Sequence, residues 1–234
     1  MLFGTHNKTK KLNNQLKISI DGTEIDQVNA FRFLGITIDQ NLTWKNHIDE
    51  LGKKCSSSIG ILYRVKHFLP EMALLNLYNT LFLSHINYGI TAWGSACNAD
   101  KEKLHILQKR ALRAVSNSEY RSASNPLFIK YSQLKITDLC QLDIGIFMYK
   151  YCNNMLPSTF DNMFTMNANN HTYATRYASD FEFPNIRLEF CEKSISYRGV
   201  KQWNNIPPHI KDSKSIHSFK TTYKQLFISK YEQI

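Results

Sequence analysis

No two aspartates are adjacent anywhere in the 234 residues. Asp21, Asp26, Asp39, Asp49, Asp100, Asp138, Asp143, Asp161, Asp180 and Asp212 stand singly. Most fall in expected turns or near expected helix starts, where capping and the helix dipole account for a carboxylate. A glycine-rich phosphate loop, a Gly-x-Ser-x-Gly elbow and a His-Glu-x-x-His pair are also missing, so the chemistries that need them have no foothold. A hydrolase built on a dispersed Ser-His arrangement would need a convergent pocket that no local pattern announces. The five cysteines, Cys55, Cys97, Cys140, Cys152 and Cys191, form no Cys-x-x-Cys. They read as reduced, mostly buried thiols rather than a disulfide framework or zinc site. No apolar run approaches the ~18 residues of a membrane span. The most apolar stretch, 72–86, is broken by Asn76, Asn79, Thr80, Ser84 and His85. The start, Met1-Leu2-Phe3-Gly4, has neither the basic region nor the apolar core of a signal peptide. The expectation is a chain of the cytoplasm or nucleus, with no membrane partner and no cofactor.

Positive charge is what the chain has in excess. Lys plus Arg number 29 against 19 for Asp plus Glu, a net +10 with a pI near 9.3. Such a balance favours a polyanionic partner, nucleic acid ahead of an anionic membrane. At 43% hydrophobic and 21% charged, the composition is that of a globular protein with a sizeable core.

Residues 1–45 read as β structure. Leu16, Ile18 and Ile20 alternate with polar neighbours, Asp21-Gly22 signals a hairpin turn, and Thr23 to Val28 returns. Thr5 to Asn14, with Lys8, Lys10 and Lys11, reads as a basic loop. Phe31, Phe33, Ile36 and Ile38 mark half-buried strand positions interrupted by Gly35, a bulge or a close backbone approach. Asp39-Gln40-Asn41 reads as a side-chain-bonded turn. So short an antiparallel meander needs more structure to pack on.

After Trp44 the period turns helical. Ile48, Leu51, Cys55, Ile59, Leu62 and Val65 form one stripe over 45–69, with Lys53, Ser57, Gly60 and Arg64 opposite. Pro70-Glu71 opens a helix to Asn87 that is apolar on nearly all sides, hence central, and Gly89 ends it. Asn98 is expected to cap a helix from Ala99 to Val115, whose segment Gln108-Lys109-Arg110-Ala111-Leu112-Arg113 is the densest basic run on any expected helix. Thr137 is expected to cap Asp138 to Asn153. From 158 onward no helical period is evident until Ser215 to Ile228. Trp203 reads as a packing aromatic rather than a base-stacking one, since one ring is no platform. The fold class is α+β, mostly α: a short N-terminal antiparallel β-meander, then a helical bundle, then a less regular C-terminal segment.

Phe33-Leu34-Gly35-Ile36, followed by Asp39, Leu42, Trp44 and His47-Ile48, resembles the end of the palm in reverse transcriptases of non-LTR, LINE-type retrotransposons, the jockey-like group in particular. Tyr88-Gly89 with Trp93-Gly94 follows in the same order. Then come Gln108 with Leu112-Arg113, and Tyr149-Lys150 with Leu156-Pro157 and Phe160. Thr175-Arg176, Ser196, Gly199, Trp203-Asn204, Pro207 and Phe219-Lys220 complete a series that runs over nearly the whole chain. The resemblance implies a palm remnant with a primer-grip-like hairpin over 1–45, a helical thumb over 46–157 and a C-terminal extension over 158–234. It also implies that Met1 is internal to a longer polymerase whose fingers and catalytic palm lie outside this chain.

In that family a Tyr-x-Asp-Asp holds the Mg²⁺ ions of polymerisation. With no Asp-Asp here, the resemblance implies a non-catalytic piece of an RNA-directed DNA polymerase, Mg²⁺ belonging only to the intact enzyme. Its expected partner is the RNA or DNA of a template–primer duplex, held by the backbone without regard to sequence. Lys53, Arg64, Lys109, Arg110 and Arg113 are the expected backbone contacts, with Phe33, Leu34 and Gly35 as the primer grip. The glycines beside Tyr88 and Trp93 read as close packing rather than a site. The rival reading is a helical protein-interaction or scaffold module with no nucleic-acid role, which would carry its charge dispersed rather than in one groove.

Overall fold

Two pairs of left-handed residues make the N-terminal turns. Asp21 and Gly22, at φ 50° and 78°, join β1 (Ser19–Ile20) to β2 (Thr23–Glu24). Leu34 and Gly35, at φ 45° and 80°, join β3 (Ala30–Phe33) to β4 (Ile36–Asp39). Positive φ at both central residues is the turn whose twist matches the flanking strands. Gly35 is therefore half of a hairpin turn and not a bulge. The β part is two separate two-stranded antiparallel sheets. Strands β1 and β2, two residues each and wholly exposed, bring no apolar face to a common ladder. The computed structural model describes residues 1–5, 9, 17–167 and 180–232. Lys8, Lys10, Lys11, Leu16 and Thr175-Arg176 lie outside the described residues.

Asp39 turns the chain from sheet to helix, as its residue type predicts. Its Oδ1 accepts the N–H groups of Asn41 at 3.1 Å and Thr43 at 3.0 Å, and its Oδ2 accepts Trp44 N–H at 2.8 Å and Thr43 Oγ1 at 3.1 Å. Helix α1 (Lys45–Val65) follows, burying Ile48, Leu51, Cys55, Ile59 and Leu62. Helix α2 (Glu71–Leu77) starts behind Pro70 as expected and continues through a π-helical stretch, Tyr78–Leu83, into α3 (Ser84–Asn87). It is central along one stripe rather than all round. Leu74, Tyr78, Phe82 and Ile86 are buried, while Met72 is 68% exposed. These four are each four residues apart, a spacing that drifts around a helix of 3.6 residues per turn. The wider π turn keeps them in line.

Helix α4 (Ile90–Trp93) leads to α5 (Asn98–Val115), then α6 (Asn125–Lys130) and α7 (Ile136–Cys152). Two caps differ from expectation. Cys97, not Asn98, precedes α5, and its Sγ lies 3.1 Å from Asp100 Oδ2. Lys135, not Thr137, precedes α7, and its N–H donates to Tyr231 Oη at 3.0 Å. After α8 (Glu189–Glu192), helix α9 (Ile195–Asn204) was not expected. Ser194 caps it by accepting Tyr197 N–H, and α10 (Pro208–Lys211) and α11 (Ile216–Tyr231) close the chain.

The core is continuous from Trp44 to Tyr231. Helix α1 lies along α5 and runs the same way, since Asp49 pairs with Lys103 and Gly52 faces Leu107. Helix α7 carries α9 and α11. A Cβ at Gly145 would stand 2.5 Å from Tyr223, and one at Gly199 would stand 2.7 Å from Met148 Sδ. Trp203 is buried, stacked on Phe219, which stacks on Tyr149. Asn204 clamps Phe181, giving Nδ2 to its carbonyl at 2.9 Å and taking its N–H at 3.1 Å. The Trp-Asn pair of the resemblance is thus a packing device. All five cysteines are free. Burial pushes the Cys55 thiol up to about 12 and those of Cys140 and Cys152 up to about 11, which suits packing rather than reactivity. Among the described residues no helix is long and apolar enough to cross a membrane.

Candidate nucleic-acid interface

The tip of the β3–β4 hairpin is exposed and apolar. Phe33 is 57% exposed and Leu34 73%. In this register Phe31 pairs with Ile38 and Phe33 with Ile36, so the four share a face. Ile36 and Ile38 reach the core, while the two phenyl rings stand clear of it. Leucine pays a steric cost for its left-handed backbone that glycine does not. Here it also pays for exposure.

The hairpin is fastened from below at three places. Ile36 lies over Gly89, where a Cβ would come within 2.3 Å of its Cδ1. Thr37 Oγ1 donates to Glu50 Oε2 at 3.0 Å. Thr37 N–H donates to His47 Nδ1 at 3.4 Å. His47 is buried, and burial holds its imidazole below its ordinary 6.5, opposed by Glu50 and reinforced by Lys54 and Arg32. It sits neutral, with Nδ1 as the acceptor. The tip itself is fastened by Tyr88, whose Oη donates to the Leu34 carbonyl at 2.5 Å.

Helix α1 presents the second feature. Lys53, Ser57 and Arg64 are exposed, and at Gly60 a Cβ would meet nothing within 4 Å. Lys53 and Arg64 are three turns apart, which places them on one stripe about 16 Å apart along the axis. Lys54 and Ser56 are exposed beside it, and the helix carries no acidic residue after Glu50. Among the described residues Lys53, Lys54 and Arg64 have no ion-pair partner.

The basic run of α5 is engaged differently. Lys109 pairs with Glu102 at 3.2 Å. Arg113 Nε donates to the Ser122 carbonyl at 2.9 Å. Arg110 Nε is buried with no partner among the described residues. Gln108 and Leu112 are fully buried, and Gln108 Nε2 donates to Tyr78 Oη at 3.1 Å and the Leu134 carbonyl at 2.8 Å. The structure therefore gathers Phe33, Leu34 and Gly35 at one tip and Lys53 and Arg64 on one stripe, and turns Lys109 and Arg113 to partners inside the protein. Sequence reasoning missed Lys54 and Tyr88. Lys54 was legible as half of a Lys-Lys pair. Tyr88 was assigned to packing because of its glycine neighbour, yet it is 56% exposed.

No cluster of three or more His, Cys, Asp or Glu able to hold a metal ion occurs among the described residues. A cavity of about 720 Å³ lies behind Leu42 and Trp44 and is lined by Phe147, Phe160 and Ile195, with the hydroxyls of Thr91, Ser95, Ser194 and Ser196. Among the described residues no histidine lines it, and the Thr91 hydroxyl donates to the Asp143 carboxylate.

The chain's curated relatives are RNA-directed DNA polymerases of Drosophila mobile elements. It is 28% identical to the probable RNA-directed DNA polymerase from transposon BS of Drosophila melanogaster, 22% to that from transposon X-element, and 26% to the RNA-directed DNA polymerase from mobile element jockey of the same fly. Each match spans 106 residues, 44% of this chain and 12% of the relative's length. No family model and no solved structure matches the chain.

Proposed function

We propose that this chain, a relative of mobile-element RNA-directed DNA polymerases over 44% of its length, is a part of such an enzyme that lies along a template–primer duplex. It holds the sugar-phosphate backbone and supplies no catalytic carboxylate pair. The observation that carries this reading is the outer face of α1: Lys53, Lys54 and Arg64 with no ion-pair partner among the described residues, small residues at Ser56, Ser57 and Gly60, and no acid in the helix after Glu50. Cations on a low, smooth helix face let a phosphate backbone approach closely, and such contacts carry no sequence information. The apolar hairpin tip, Phe33 and Leu34 on Gly35, supplies the primer grip. Lys109 and Arg113, held by Glu102 and the Ser122 carbonyl, and Arg110, whose Nε is buried, contribute positive potential more than direct contact. The matched relatives are far longer than the stretch they share with this chain, so binding and not synthesis is the activity proposed here.

A second reading, a helical protein-interaction module, draws on the same exposed Phe31, Phe33 and Leu34 and on the internal pairing of the α5 cations. Lysine footprinting separates the two. With an RNA–DNA duplex added, Lys53 and Lys54 should be shielded from acetylation while the exposed Lys214 and Lys220 stay reactive. Undiminished acetylation of Lys53 and Lys54 under saturating duplex would rule the proposal out.

A further inference from the structure

The loop between α3 and α4 touches the hairpin tip across 54 residues of sequence. Tyr88 Oη donates to the carbonyl of Leu34 at 2.5 Å. A Cβ at Gly35 would lie 3.5 Å from Tyr88 Cε1, so the phenol ring also covers the second turn residue. Gly89, at φ 63°, lets the next residue position pass under Ile36. Behind the ring, the carbonyl of Tyr88 accepts the indole N–H of Trp93 at 3.0 Å, and Trp93 is fully buried. Tyr88 thus ties the hairpin tip to a rigid point of the helical core.

We infer that Tyr88 is the positioning residue of the hairpin tip, holding Phe33 and Leu34 in place for a bound duplex; this rests on the nucleic-acid reading above. Two properties of the tip call for such a strut. Leu34 occupies a left-handed backbone conformation while 73% exposed, so its own side chain does nothing to keep it there. A two-stranded hairpin alone is marginal in water. Fixing the tip before binding lowers the ordering cost that the partner would otherwise have to overcome. Tyr88 acts through Leu34 and need not touch nucleic acid.

The strut and its use are tested separately in the full chain. Tyr88→Phe keeps the ring and removes the hydroxyl. Amide hydrogen exchange across the hairpin should quicken roughly threefold in this variant, the low end of what one partly exposed hydrogen bond provides, while exchange in α1 is unchanged. Unchanged exchange at the hairpin would overturn the strut, whatever the chain binds. For its use, the affinity for an RNA–DNA duplex should fall by a similar factor in Tyr88→Phe, with the salt slope unaltered. In a background of Phe33→Ala and Leu34→Ala, which removes both side chains the tie positions but keeps the Leu34 carbonyl, the Tyr88→Phe loss of affinity should disappear. A Tyr88→Phe loss that persists in full in that background would refute action through the tip side chains. If the unmodified chain binds no duplex, the nucleic-acid reading fails, and with it the positioning role; the exchange result then still decides whether the tie exists.

Discussion

Ile36 and Gly89 meet where a side chain on the glycine would have no room. The gap left for a Cβ is 2.3 Å to Ile36 Cδ1 and 3.2 Å to Cγ1. This contact is the apolar part of the seat of the β3–β4 hairpin, beside the bonds of Thr37 to Glu50 and His47 and of Tyr88 to the Leu34 carbonyl.

Gly89→Ala should therefore loosen the hairpin. Alanine at a φ of 63° costs about 1–2 kcal/mol by itself, and Ile36 must swing its terminal methyl aside. A total loss of roughly 1–3 kcal/mol is expected, read as a lower urea midpoint. A midpoint equal to that of the unmodified chain would show that the hairpin is not seated on Gly89.

Tyr231 and Asp138 join the end of α11 to the start of α7. Tyr231 Oη donates to Asp138 Oδ2 and accepts Lys135 N–H. Burial raises the Asp138 carboxyl above its ordinary 3.8, against the hydrogen bond from Tyr231 and the charges of Lys135, Lys230 and His105. The folded state therefore holds this proton more tightly than the unfolded chain. Its contribution to stability is full below 3.8 and declines as pH rises through the folded value. Tyr231→Phe leaves the carboxylate buried without its donor. The loss should be roughly 1.5–3 kcal/mol at neutral pH and smaller below the ordinary 3.8, where Asp138 is protonated in both states. Equal losses at both pH values would refute the pairing.

His47 has the opposite sign. Its folded pKa lies below 6.5, chiefly through burial, so just under that pH the unfolded chain binds more protons and stability falls on acidification. A proton on Nδ1 would also displace Thr37 N–H and set a cation beside Arg32 and Lys54. Denaturation midpoints followed downward from pH 7 should decline through and below 6.5, and His47→Gln should flatten the part of that decline it causes. His105, lowered first by burial as well, adds to the decline with the same sign. A His47→Gln profile parallel to that of the unmodified chain would contradict this.

The predicted cations should divide into two groups. Lys53→Ala and Arg64→Ala should each reduce the salt slope of duplex binding by about one with little effect on stability. Lys109→Ala and Arg113→Ala should alter binding less, and Arg113→Ala should cost about 1 kcal/mol of stability because Arg113 binds the Ser122 carbonyl. Urea denaturation and anisotropy titrations on the four variants measure both effects. Equal salt-slope losses in all four would place α5 in the interface.

Local chemistry made the hairpin turns, the Asp39 corner and the α1 stripe readable from sequence, because each depends on residues within a turn or two of one another. The remainder depends on distant partners. Gln108 and Arg113 stood out as a basic signature, yet Gln108 is held by Tyr78 and Leu134, which periodicity does not reveal. Helix α9 escaped notice because its stripe is short and broken: Gly199, Val200 and Trp203 are its buried residues, and they gain their meaning only against Met148 and Phe219. Cys97 and Lys135 hold the capping positions expected of Asn98 and Thr137; Cys97 bonds locally to Asp100, whereas Lys135 is bonded by the distant Tyr231. At the candidate site the cations of α1 were legible by spacing, whereas the tie from Tyr88 to Leu34 joins two stretches that no pattern connects.

The most direct test of the account is the affinity of the folded chain for an RNA–DNA duplex measured across a salt series. The three cations of the outer α1 face, Lys53, Lys54 and Arg64, predict a logarithmic slope of about −2 to −3, reduced by about two in the Lys53→Ala/Arg64→Ala double variant. A folded chain that fails to bind, or whose slope the double variant leaves unchanged, would contradict it.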